Sequence, residues 1–96
     1  MSEQPLGQGE IELALSDLSG WDLKSNTIVR EFEFPNHLSA VAAISTIALL
    51  QEKLNHHADI TNTYNKLTVK TTTHSAGNKI TKLDIELARK ISEFFG

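Results

Sequence analysis

The stretch "TIVREFEFPNHLSAVAAISTIALLQEKL", Thr27 to Leu54, changes its hydrophobic period once, at Pro35-Asn36. Before that point the period is two. Ile28, Phe32 and Phe34 share one face with Arg30, while Thr27, Glu31 and Glu33 lie opposite with Val29. Successive side chains of a strand point to opposite faces of a sheet, so this alternation predicts a half-buried strand. Pro35 closes it, and Asn36 offers a side-chain oxygen to cap a helix. From Leu38 to Leu54 the apolar residues Val41, Ile44, Ile47, Ala48, Leu50 and Leu54 recur at three- and four-residue spacings. That is the period of a helix, and the run predicts the longest one in the chain.

Working outward, Trp21 to Leu23 and the turn-like Lys24-Ser25-Asn26 supply a partner strand, making a hairpin with Thr27–Phe34. Upstream, Ile11, Leu15 and Leu18 predict a short amphipathic helix over Glu10–Leu18, ended by Ser19-Gly20. Residues 1–9, with Pro5, Gly7 and Gly9, read as a mobile tail. Downstream, Ile60 to Thr73 is rich in threonine. Leu67, Val69 and Thr71 share a face opposite Lys66, Thr68 and Lys70, which predicts a second strand pair. "HSAGNK", His74 to Lys79, is a loop, and Thr81 to Phe95 is a closing helix that buries Leu87, Ala88, Ile91 and Phe94 or Phe95. In "TKLD", Thr81 is a natural N-cap and Asp84 the third residue of a capping box. The whole is an α+β domain over residues 10–96. It has two layers in the order α-β-β-α-β-β-α, with a four-stranded antiparallel sheet and its helices on one face.

The chain has 96 residues and a net charge of −3, which argues against the basic face of a nucleic-acid binder. It has no cysteine, so disulfides, thiolate metal sites and cysteine nucleophiles are excluded. No apolar run approaches the roughly 18 residues of a membrane span, and "MSEQPLGQGEIE" has no signal-peptide pattern. A soluble, cytoplasmic protein is the expectation. A domain this small buries only about 60–65% of its unfolded surface, so a homodimer or homotetramer is expected to add stability.

The residues equipped for chemistry are Glu52, His56, His57, His74 and Asp84. Three histidines could face a zinc ion, but adjacent residues diverge by about 100° on a helix and by about 180° on a strand. Neither geometry turns both His56 and His57 to one ion, so no metal site is assigned. Proton transfer asks for less, because an imidazole near neutrality can act as acid or base within hydrogen-bond reach. Glu52 precedes His56 by one helical turn and could orient it. Each residue also has a plainer reading: the histidine pair as solvated turn residues, Glu52 as a surface carboxylate, Asp84 as a capping group. The residues alone support a proton-transfer site and go no further.

Their spacing says more. Glu52-x3-His56-His57-x6-Tyr64-x9-His74-x9-Asp84 resembles the signature of the pterin-4a-carbinolamine dehydratase family, whose vertebrate members are also known as dimerisation cofactors of a homeodomain transcription factor. "SGW" (Ser19–Trp21), "IVREFEF" (Ile28–Phe34), "ITNTYNKLTV" (Ile60–Val69), "TTH" (Thr72–His74) and "DIELA" (Asp84–Ala88) look like further family segments. The resemblance implies the same fold, no metal or organic cofactor, and an activity: dehydration of 4a-hydroxytetrahydrobiopterin, or a related pterin, to the quinonoid dihydropterin. That product is reduced and reused by aromatic amino-acid hydroxylases. The resemblance makes His56 and His74 the acid–base pair, the order open, with His57 on the carbinolamine hydroxyl or pterin edge. Glu52 and Asp84 would be supporting carboxylates, with Thr72 and Thr73 against the substrate. The chain departs from the family pattern at Ala58, where proline is usual, and at Leu83, where several members are basic. The loop after His74 is about one residue longer, and 36–43 is less aromatic. The competing class is a non-catalytic binding or assembly protein on the same fold.

Overall fold

The computed structural model describes residues 4–96. The elements are α1 (Gln8–Ser16), β1 (Asp22–Lys24), β2 (Thr27–Glu33), α2 (His37–Leu54), β3 (Asp59–Thr63), β4 (Lys66–Thr71) and α3 (Lys82–Phe95), with a single 3-10 turn at His74–Ala76. The predicted order holds throughout. All strand pairs are antiparallel and the sheet runs β1-β2-β4-β3, so the two hairpins abut through β2 and β4.

The β2–β4 register places Ile28 opposite Thr71, Arg30 opposite Val69 and Phe32 opposite Leu67. These six side chains lie on the inward face. Ile28, Leu67 and Val69 are fully buried, as are Ile47 of α2 and Leu87 and Ile91 of α3. Each such side chain contributes roughly 1.5–3 kcal/mol when removed from water. Arg30 stays on this face because its guanidinium lies 4.2 Å from the centre of the Phe32 ring and donates to Ser92 Oγ and the Gly96 carbonyl. Burial lowers its pKa from the ordinary arginine value.

Three expectations shift. Helix α1 starts at Gln8 with Gly7 as N-cap, two residues before the predicted start, and the Leu6 amide donates to the Ile80 carbonyl. The supposed tail is thus tied down from Leu6, and residues 1–3 lie outside the described residues. The same helix ends at Ser16. Gly20 serves a later bend, with φ +89° and a Cβ position only 2.9 Å from Arg30 Nε. On α2 the buried stripe is Ala40, Ala43, Ile47 and Gln51, whereas Val41 faces outward with Leu38 and Leu49. The small alanines let α2 pack closely, and the larger residues are left on the outer side.

Candidate active site

Helix α2 carries the site's first residues and its ending positions them. Asn55 adopts the left-handed conformation, φ 51° and ψ 44°, which asparagine tolerates. Its amide donates to the Glu52 carbonyl at 3.3 Å, and the next amide, of His56, donates to the Gln51 carbonyl at 3.0 Å. This pair of reversed bonds is a Schellman motif, and it turns the chain sharply after Leu54. Gln51 then fastens the other side of the turn, its Oε1 accepting from the Ala58 amide at 2.7 Å. A proline at 58 would have no such amide. Ala58, where the resemblance implies a proline, is therefore held by a side chain in place of a fixed ring.

His56 follows the turn inward and is 8% exposed. Its Nε2 lies 2.6 Å from Asp84 Oδ1 and 3.2 Å from the Thr71 hydroxyl. Asp84 is fully buried in the first turn of α3. Four donors converge on it: His56 Nε2 and the Thr71 hydroxyl on Oδ1, the Thr73 hydroxyl (2.7 Å) and the Thr81 amide (2.9 Å) on Oδ2. Thr81 Oγ1 accepts from the Leu83 amide, and its own proton goes to Thr73 Oγ1 at 2.7 Å, since the Thr73 proton is taken by Asp84. Such a carboxylate, acceptor on every side, obliges Nε2 to carry the His56 ring proton. Nδ1 has no partner among the described residues. No fully enclosed side-chain polar atom is left unpaired there, so Nδ1 is open to solvent.

Two more histidines, both exposed, adjoin this network along the chain, His57 beside His56 and His74 beside Thr73. His57 is half exposed, with Nε2 2.5 Å from Glu52 Oε2. His74 begins the 3-10 turn directly after Thr73, and its Nδ1 lies 2.6 Å from Asn78 Oδ1. Each of the three rings thus has one nitrogen donating to a side-chain oxygen and one without a partner among the described residues. The fourth, His37, belongs to the opposite end of the sheet, where its Nδ1 donates to the Tyr64 carbonyl and its ring stacks on Tyr64.

The predicted residues come from one end of the domain: the exit of α2, the exit of β4 and the start of α3. The pairing differs from the expectation. Glu52 holds His57 and leaves His56 to Asp84, because the helix stops at Leu54 and the one-turn spacing from Glu52 to His56 never forms. Asp84 completes the predicted capping box and also anchors His56. The Thr73 hydroxyl is spent inside the network, and that of half-buried Thr72 donates to the Asn26 carbonyl in the β1–β2 turn. The Thr71 contact with His56 and Asp84 and the bond of Thr81 to Thr73 lie outside the expectation. A polar residue continuing the Leu67-Val69 face inward was the available signal. Among the described residues no three His, Asp or Glu side chains are grouped to hold a metal ion, and no helix is long and apolar enough to cross a membrane.

The family model described as pterin 4 alpha carbinolamine dehydratase matches residues 4–94. A protein of Streptomyces avermitilis, provisionally named pterin-4-alpha-carbinolamine dehydratase, is 40% identical over 93 residues, covering 97% of this chain and 92% of its own. Relatives with the same provisional name from Sulfurisphaera tokodaii and Mesorhizobium japonicum are 42% and 39% identical, over 92% and 100% of this chain and 94% and 99% of their own. Among solved structures, a transcriptional coactivator/pterin dehydratase from Brucella melitensis superposes with a TM-score of 0.91 at 37% identity, over 97% of this chain and 100% of that one.

Proposed function

This chain belongs to the pterin 4 alpha carbinolamine dehydratase family, and from that membership we propose that it converts a 4a-hydroxytetrahydropterin to the quinonoid dihydropterin by histidine acid–base catalysis. The reaction is an elimination without net redox change. The C4a–O bond breaks, the N5 electrons form a C4a=N5 bond, the N5 proton departs, and the hydroxyl leaves as water. One group must therefore give a proton to oxygen while another accepts one from nitrogen, and the scheme calls on no metal or organic cofactor.

The observation that carries this reading is the set of three imidazoles, each with one nitrogen anchored and the other open. His56 and His74 form the acid–base pair. His57, steadied by Glu52, holds the hydroxyl or the pterin edge, and Thr72 borders the substrate while Thr73 supports Asp84. The quinonoid product is the form a pterin reductase would reduce to the tetrahydropterin that an aromatic amino-acid hydroxylase uses, which is the pathway role we assign. A purely binding or assembly role on the same fold has less support, since it has no use for three anchored rings.

Self-association belongs to the same proposal. Between Leu38 and Gln51 helix α2 has no charged residue, yet Leu38 and Leu49 are 77% and 67% exposed. An apolar face of this kind suits cover by a second copy, as a homodimer or homotetramer. The activity is tested by following carbinolamine loss in a coupled pterin-hydroxylase assay with chelator present. Acceleration by the purified protein supports the dehydratase. Activity lost to chelator and restored by zinc would replace the acid–base scheme with a metal one, and no acceleration would leave the binding role.

A further inference from the structure

We propose that Asn78 is a positioning residue that holds the His74 ring in its Nδ1–H tautomer and so presents Nε2 to the site as a lone pair. The proposal deepens the dehydratase reading and rests on it for the use made of Nε2. Neutral imidazole in water favours the opposite tautomer, with the proton on Nε2. A fixed acceptor at Nδ1 reverses that preference.

Asn78 is built to be such an acceptor. Its Oδ1 lies 2.6 Å from His74 Nδ1. The backbone that aims it is bonded on both sides. The Asn78 amide donates to the Thr73 carbonyl at 3.0 Å, the Thr73 amide donates to the Lys79 carbonyl at 2.9 Å, and the Gly77 amide donates to the His74 carbonyl at 3.0 Å. Gly77 and Asn78 are successive left-handed residues, φ 76° and 60°, in a loop that bends back on itself. Asparagine is among the few side-chain-bearing residues that occupy this conformation readily, and it supplies the oxygen as well. Since Thr73 is also a donor to Asp84, the segment that fixes Asn78 is fastened to the carboxylate that anchors His56. The two rings are thus oriented in complementary ways, His56 with Nδ1 open and His74 with Nε2 open.

The test uses two substitutions that keep the left-handed backbone. Asn78→Gly removes the acceptor, and Asn78→Asp restores one. Imidazole 15N shifts of His74 in the full-length protein read the tautomer directly, and steady-state kinetics read its use. We expect Nδ1 protonated in the unsubstituted protein, reversal in Asn78→Gly with kcat lowered about 3- to 10-fold at little changed KM, and recovery of both in Asn78→Asp. An Nε2–H tautomer in the unsubstituted protein, or no change of tautomer in Asn78→Gly, would overturn the proposal. Full turnover by His74→Ala would remove His74 from the catalytic reading, while the 15N result would still decide the hold of Asn78 on the ring.

Discussion

The His56 ring nitrogen Nε2 stands 2.6 Å from Asp84 Oδ1, a bond between residues 28 apart in sequence that joins the exit of α2 to the first turn of α3. Because Asp84 is also the N3 residue of the α3 capping box, one carboxylate starts a helix and orients an imidazole. Oδ2 takes the capping bond from the Thr81 amide and Oδ1 takes the His56 ring, so the two roles share one side chain.

Asp84→Asn is the most informative change in this network. The amide of asparagine faces four donors with one oxygen, so at least two buried partners lose their acceptor. Leaving such groups unpaired costs about 1–3 kcal/mol each, so the expected loss of stability is at least about 2 kcal/mol. For a domain of this size that lowers Tm by at least about 8 °C, measurable by circular dichroism. A change within 1 °C would mean that the four bonds do not act together.

Gln51 should matter out of proportion to its distance from any chemistry. Its side chain is buried and its Oε1 holds the Ala58 amide, so Gln51→Ala loses both packing and a bond. A destabilisation of about 1–3 kcal/mol is expected, with faster hydrogen exchange at the Ala58 amide than in the unsubstituted protein. Unaltered exchange at Ala58 would show that the turn is held by something else.

How much of this was readable beforehand depends on what each pattern encodes. Strand alternation at Thr27–Phe34 and the face of Leu67 and Val69 gave the sheet, since period and burial agree there. The Thr81–Asp84 capping box was equally legible, being a local motif with a fixed spacing. The inward face of α2 was not. Apolar residues surround that helix, so hydrophobicity alone does not choose between Val41 outside and Ala40 or Ala43 inside. The carboxylate pairing departs from the sequence expectation for a related reason. Glu52 and His56 stand one helical turn apart in sequence, but the left-handed Asn55 ends the helix between them. Asn55 directly after an apolar run was the cue for that ending, and no local pattern could bring Asp84 to His56 across the fold.

The outer face of α2 gives a prediction of its own. Leu49→Glu places a charge on the proposed contact without touching the core, because Leu49 is exposed. The substituted protein should keep its fold and move to the mass of one chain in size-exclusion chromatography with light scattering. An unsubstituted protein that already runs as one chain would refute the α2 contact.

The central claim is that an imidazole anchored by Asp84 transfers a proton during dehydration. Stopped-flow measurement of 4a-hydroxytetrahydropterin loss, in chelator, with the unsubstituted protein and His56→Ala, tests it most directly. The account predicts acceleration by the first and a loss of about 10²–10⁴-fold in kcat by the second, with the substituted protein still folded. A His56→Ala protein as fast as the unsubstituted one would contradict it.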